Sequence, residues 1–155
     1  MKIEHPKHII AVSAYVLNDK SEALLVKTHW RADTWEPPGG QVEEGEPLDV
    51  AACREVLEET GIIIETTGVT GVYYNVTKQL LSVVFTAKYI SGKINIQPEE
   101  IKEAKFVKLT ESNVDQYITR PHMQSRTLDA MRAKSSIPYE TWEVNPYRLL
   151  GRLED

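Results

Sequence analysis

An α+β fold is predicted, with a helix sandwiched into a mixed β-sheet of about six to eight strands and one or two later helices on the far face. Three observations carry it. Apolar runs rich in β-formers recur at 8–17, 22–28 and 79–91. Between the second and third lies an amphipathic segment with a proline at its start and a glycine at its end, about 47–60. A second helical pattern, again opened by a proline, occupies about 121–134. The 155 residues are read as one domain over 1–155, long enough to bury roughly two thirds of the surface its unfolded chain exposes.

In chain order, HIIAVSAYVL and EALLVKT, separated by the turn-like Asn18–Asp19–Lys20–Ser21, read as a hairpin of buried strands. The following HWRADTWEPPGG holds two tryptophans, two prolines and two glycines. That composition suits an irregular loop with fixed φ angles and close backbone approach. It leads into the helix, where Pro47 fits the first position, Glu46 favours the positive end of the dipole and Gly61 supplies a C-cap. At helical spacing Cys53, Val56 and Leu57 share a packing side, and Glu55, Glu58 and Glu59 lie within about 100° of one another on the opposite side.

After the helix, IIIETT, GVTGVYYNV and QLLSVVFTAKYIS read as β-structure with turns near Gly68 and around Thr77–Lys78. Leu81, Val83, Phe85, Ala87 and Tyr89 share one face of the last strand, and Val84 with Ile90 partly cover the other, so both faces are expected to be buried. Gly92 opens the polar loop INIQPEEIKEA before a short strand KFVKL. A weak helix near 111–118 precedes the one at 121–134. The tail 137–155, with Tyr139, Trp142, Tyr147, Leu149 and Leu150, is too apolar for a free end and is expected to be structural cover or a homodimer contact.

Net charge is −5, and it is local. Residues 40–62 hold seven of the 23 acids and one of the 18 bases, leaving 16 acids against 17 bases elsewhere. Without a basic surplus the chain is not expected to bind a nucleic-acid polymer. A single cysteine, Cys53, an N-terminal MKIEHPKH without an apolar core, and the absence of any run near 18 apolar residues point to a reducing cytoplasmic setting and no membrane.

An E-x-x-E-E face taken alone is a solvated surface. Here a Gly-Gly loop offers bare carbonyls beside it, and Arg54 stands inside the cluster, one residue before Glu55 and four before Glu58. Like charges four apart, as Glu55 and Glu59 are, destabilise a helix, so a cation is expected. All-oxygen ligands suit Mg²⁺, with Mn²⁺ as substitute, better than zinc or copper. Mg²⁺ shares substrate phosphates, so the chemistry expected is water attacking phosphorus, activated by metal and a carboxylate base. Trp30, Trp35 and the outward one of Tyr73 and Tyr74 are candidates to stack a base, against a core or lid role. The four histidines, His5, His8, His29 and His122, show no ligand spacing, and Cys53 is read as a small buried hydrophobe.

Gly40, Glu46 and the run Arg54-Glu55-Val56-Leu57-Glu58-Glu59-Thr60-Gly61-Ile62 together resemble the signature box of the Nudix hydrolases, with every specified position matched. The lead-in from Trp35 to Gly40 is similar to the family's Pro-Gly-Gly, with Pro37 added. The resemblance implies the family's α/β/α sandwich through about residue 109. It also implies a divalent-metal site of the Gly39 carbonyl with Glu55, Glu58 and Glu59, and Arg54 holding the catalytic glutamate. A further acid is implied in QPEEIKEAKFV, from Glu99, Glu100 and Glu103, with Glu100 or Glu103 favoured and Glu55 the alternative base. Trp35 and Tyr74 are the substrate-contact candidates.

The activity implied is Mg²⁺-dependent hydrolysis of the diphosphate linkage in a small nucleoside diphosphate derivative. No proline lies between Pro47 and Pro98, unlike the ADP-ribose subgroup, and LLVKTHWRADTWEPPGG departs from the coenzyme A subgroup's upstream motif. A MutT-like hydrolase of nucleoside triphosphates or modified (d)NTPs remains by elimination, with a nucleotide-sugar pyrophosphatase as the alternative. A non-catalytic nucleotide sensor is the competing class.

Overall fold

The computed structural model describes residues 4–155. Residues 1–3, the start of the segment read above as lacking a leader, and the first residues of the proposed 1–155 domain, lie outside the described residues.

The fold grows from β1 (Ile9–Leu17), whose nine residues carry no charge. Both faces of such a strand need cover, and β1 lies inside a six-stranded mixed sheet. The sheet also contains β2 (Ala23–Thr28), β4 (Ile63–Asn75), β5 (Leu80–Ser91) and β6 (Ile101–Val107), in the order β4-β5-β1-β2-β6. β1 runs parallel to β5 along its whole length, from Ile9 opposite Leu80 to Leu17 opposite Lys88. The predicted hairpin is present, but β1 and β2 meet only at Leu17 and Ala23. Its turn is closed by the Asn18 side chain, which accepts hydrogen bonds from the Lys20 and Glu22 N–H groups. Into the gap where the two strands splay enters β3 (Gly39–Gln41), antiparallel to β1.

One face of the sheet carries α1 (Leu48–Thr60) over Val12, Ala14, Val16, Leu24 and Phe85. The other carries α2 (Val114–Tyr117) and α3 (Pro121–Arg132) over Tyr15, Leu25, Val84 and Val107. This is the expected α/β/α layering. Gly61 ends α1 at φ 76°, as its C-cap reading required, with its N–H donating to the Leu57 carbonyl. Pro47 is the cap residue outside the helix rather than its first residue.

Four expectations are corrected by packing. Gly68 makes no turn, because β4 continues through it and absorbs the irregularity as bulges between Thr66 and Gly68 and between Val69 and Gly71. The weak helix at 111–118 shrinks to the single turn of α2, and the strand expected at 105–109 begins at Ile101, inside the segment read as loop. Leu57, assigned to the packing side of α1, is 49% exposed, while Glu59 is buried at 5%. Ala51, Ala52 and Val56 carry the contact with the sheet, so the buried side of the helix is rotated toward Glu59.

The tail forms a separate hairpin of β7 (Tyr139–Glu143) and β8 (Arg148–Leu153). It covers the start of α1. The Tyr139 hydroxyl accepts the Leu48 N–H at 2.9 Å, its ring stands edge-on to Phe85, and Leu153 packs into the same cluster. Trp142, Val144, Tyr147, Leu149 and Leu150 remain exposed. Among the described residues, no helix is long and apolar enough to cross a membrane.

A Cβ at Gly61 lies 3.1 Å from the Lys93 carbonyl and 3.2 Å from the Asn95 side chain, at a positive φ that L side chains resist. Gly61→Ala is therefore expected to cost about 1–2 kcal/mol of stability, read as a lower Tm in thermal unfolding.

Candidate active site

The site is organised by Arg54. Its guanidinium makes a bidentate pair with Glu46, at 2.6 and 2.9 Å. It also reaches Glu55 at 3.0 Å, Glu58 at 3.2 Å and the Gln41 carbonyl at 3.2 Å. One side chain on α1 thus fastens the preceding loop and strand β3 to the acidic face of the helix. The Glu46 carboxylate also accepts a hydrogen bond from the Glu43 N–H, and Arg54 holds its carboxyl below the usual carboxylate range. Arg54 itself is pushed further toward the charged form, chiefly by Glu46.

The two glycines are explained by what stands next to them. A Cβ at Gly39 collides with the Val12 carbonyl and the Ser13 backbone, and one at Gly40 falls 2.6 Å from the Glu55 carboxylate. Only backbone fits between β1 and α1 there. The Ala14 and Val42 N–H groups bond across to Pro38 and Ile10, so alternation along the antiparallel pair turns residues 39 and 41 away from β1. Gly39 N–H accordingly donates to Glu59 at 2.9 Å, and the Gly39 carbonyl shares that outward edge.

Glu59 is the unusual carboxylate. Burial, with Glu55, Glu36 and Glu100 adding repulsion against the Gly39 hydrogen bond, pushes its pKa up to about 8. Among the described residues no basic side chain forms a salt bridge to it. Glu55 is also raised, first by burial, with Arg54 opposing. The three glutamates of α1 therefore occupy three environments: Glu58 exposed, Glu55 half-buried and Glu59 buried. Among the described residues, no group of three His, Cys, Asp or Glu side chains is drawn together as a finished metal cage. Glu55 and Glu58 lean on Arg54 while Glu59 leans on Gly39. The donor set still fits a hard divalent cation, because it is all oxygen and contains a buried carboxylate repelled by other carboxylates, with no salt bridge to it among the described residues.

The structure separates Glu100 from Glu103. The loop before β6 docks on the end of α1, where the Asn95 and Gln97 N–H groups bond to the Thr60 and Glu59 carbonyls. His29, given no role by its spacing, pins the same loop through its N–H to the Glu100 carbonyl and its ring to the Pro98 carbonyl. Glu100 is left close enough to repel Glu55 and Glu59. Glu103 stands within β6, opposite Lys27 and paired with it at 3.7 Å. Lys27 also lies over Trp35, on the α2–α3 side of the sheet, so Glu103 stands on that side rather than beside the acidic face of α1.

A cleft opens on that far side, between β1, β5 and the start of α3. Gly39, Gly40 and Glu36 form the wall it shares with the acidic site, and Ser13, Arg31, Lys78, His122 and Arg126 supply its polar lining. Neither aromatic substrate candidate lines it. Trp35 is held between Lys27 and Lys105 at 4.8 and 4.6 Å and bonded through its N–H to Tyr117, while Tyr74 points outward beside His8. Tyr73 touches a cleft residue instead, lying under Arg126 and donating to Asp129. The sequence reading missed these cleft residues. The visible clue was Ser13, the one serine inside an apolar strand.

The NUDIX domain model matches residues 7–125. A MutT-like protein of Streptomyces ambofaciens is 39% identical over 89 residues, covering 56% of each chain. Nudix hydrolase 8 of Arabidopsis thaliana is 31% identical over 155 residues, covering 95% of this chain and 42% of its own. The chain thus spans about half the length of these curated relatives. Among solved structures, the MutT protein of Methanosarcina mazei Go1 superposes with a TM-score of 0.65 at 28% identity, over 85% of this chain and all of its own.

Glu59 generates a pH prediction. Its native pKa lies above the ordinary carboxylate value, so between that value and about 8 the folded state binds more protons than the unfolded chain. Stability of the metal-free protein is expected to fall as pH rises through this window. Thermal unfolding in EDTA at the two ends of the window measures it, and Glu59→Gln is expected to flatten the profile.

Proposed function

Because this chain belongs to the NUDIX domain family, we propose that it is a Mg²⁺-dependent pyrophosphohydrolase cleaving the diphosphate linkage of a nucleoside diphosphate derivative. A nucleoside triphosphate or modified (d)NTP is the substrate class favoured. The observation that carries this reading is Glu59, buried against Gly39 with Glu55, Glu36 and Glu100 around it and no salt bridge among the described residues. Its raised pKa leaves it mostly protonated near neutrality in the metal-free protein, and a divalent cation bound there would supply the charge that lets it ionise.

Glu55, Glu58 and Glu59 with the Gly39 carbonyl are the residues that would hold Mg²⁺ or Mn²⁺. Bound there, such an ion would supply positive charge against the diphosphate and would lower the pKa of a water molecule. Arg54 keeps the Glu55 and Glu58 carboxylates in place and ties them to β3 through Gln41. Glu100, on a loop fixed to the end of α1, is the proposed general base. It takes the water proton as the oxygen attacks phosphorus and the bridging P–O bond breaks. Glu55 is the second reading for the base, favoured by its raised pKa, since a carboxylate nearer neutrality is the better proton acceptor. Glu103, paired with Lys27, is given no catalytic role.

A nucleotide panel assayed for phosphate-containing products tests this reading. EDTA is expected to abolish turnover and Mg²⁺ or Mn²⁺ to restore it. Glu58→Gln is expected to lower kcat by about 10²-fold or more, and Glu100→Gln by about 10²-fold. An unchanged rate for Glu58→Gln sinks the metal assignment, and nucleotide binding without metal-dependent turnover favours a sensor.

A further inference from the structure

The cleft on the α3 side carries more positive charge than the reading above uses. Arg31 is committed to Glu36 by two hydrogen bonds of 2.9 and 2.7 Å. Arg126 is not so committed. Its Nε donates to the His122 carbonyl at 3.2 Å and its guanidinium lies 5.3 Å over the Tyr73 ring, but among the described residues no carboxylate pairs with it. It is partly buried, and desolvation weighs against its charge. On the facing strand, the Ser13 hydroxyl is buried with no hydrogen-bond partner. Lys78 stands at the rim in the β4–β5 turn, also outside any ion pair among the described residues.

A buried orphan hydroxyl and an unpaired, partly desolvated guanidinium each cost stability, and they face the same space. Among the described residues no Phe, Tyr or Trp lines that space, and its one aromatic ring is the His122 imidazole. At about 200 Å³ the cleft is also smaller than the roughly 300–1,000 Å³ that encloses a whole drug-sized ligand, so it takes only part of a substrate lying across Gly39 and Gly40.

We propose that this cleft is a phosphoryl subsite, receiving a phosphate group of the substrate other than the diphosphate linkage being cleaved, with Arg126 and the Ser13 hydroxyl as donors and Lys78 at its mouth. The fork of a guanidinium and a hydroxyl match the several acceptor oxygens of a phosphate. The proposal rests on the hydrolase reading and narrows it to substrates with a third phosphate, as in a nucleoside triphosphate, over diphosphates esterified to an uncharged sugar.

The first test uses the full chain in EDTA, titrated with inorganic phosphate at constant ionic strength and followed by thermal unfolding and calorimetry. Saturable binding is expected, weakened about ten- to a hundredfold by Arg126→Gln and about two- to tenfold by Ser13→Ala. Ser13→Ala is expected to keep or raise the Tm without phosphate, since the hydroxyl it removes is unsatisfied, and it decides the matter if Arg126→Gln does not fold. Equal phosphate affinity in wild type and variants overturns the subsite. The second test compares a nucleoside triphosphate with the matching nucleoside diphosphate hexose in Mg²⁺. Arg126→Gln is expected to lower the ratio of their kcat/KM values about tenfold, and an unchanged ratio overturns the proposal. If wild type hydrolyses neither, the hydrolase reading fails, while the metal-free phosphate titration still decides the subsite.

Discussion

The contacts of Arg54 are the constraint on which the site depends. A loop rich in glycine, proline and acid has little of its own to hold it, and a helix with three glutamates on nearby positions repels itself. The guanidinium answers both, because its planar fork satisfies Glu46 while its remaining N–H groups reach Glu55, Glu58 and the Gln41 carbonyl. A lysine carries the same charge but presents one point of donation, so it could not hold strand, loop and helix together.

That link has a consequence for the sheet. β3 can enter beside β1 only because Gly39 and Gly40 have no side chains to strike Ser13 and Glu55. Its alternation then splits the strand's polar groups, with residues 38 and 42 bonding to β1 and residues 39 and 41 facing α1. The same short strand forms a wall of the basic cleft on the other side of the sheet. The two glycines therefore stand between carboxylates on one side and guanidinium and hydroxyl groups on the other.

Much of this was legible in the residues, and the failures have physical causes. The proline and glycine bounds of α1 and the hairpin turn at Asn18 are local events, set by φ preference and short-range hydrogen bonds, and the structure agrees within a residue or two. Gly68 misled because a glycine permits a turn without requiring one, and pairing with β5 was enough to keep β4 extended. Leu57 and Glu59 exchanged expected environments because helical periodicity gives relative angles but not which sector meets the sheet. Ala51 and Ala52 allow a close approach that rotates Glu59 inward.

From the sequence alone came the α+β class, the helix and its acidic face, and the family resemblance borne out by the match over residues 7–125. These rest on spacing within a dozen or two residues, where chemistry and periodicity act together. The tertiary structure alone brought Glu100 to the acidic cluster and left Glu103 with Lys27. It also turned the tail into a hairpin over α1 and set Arg126 across from Ser13, 113 positions earlier in the chain. Contacts between such distant residues follow from strand order and layer packing, which no local pattern encodes.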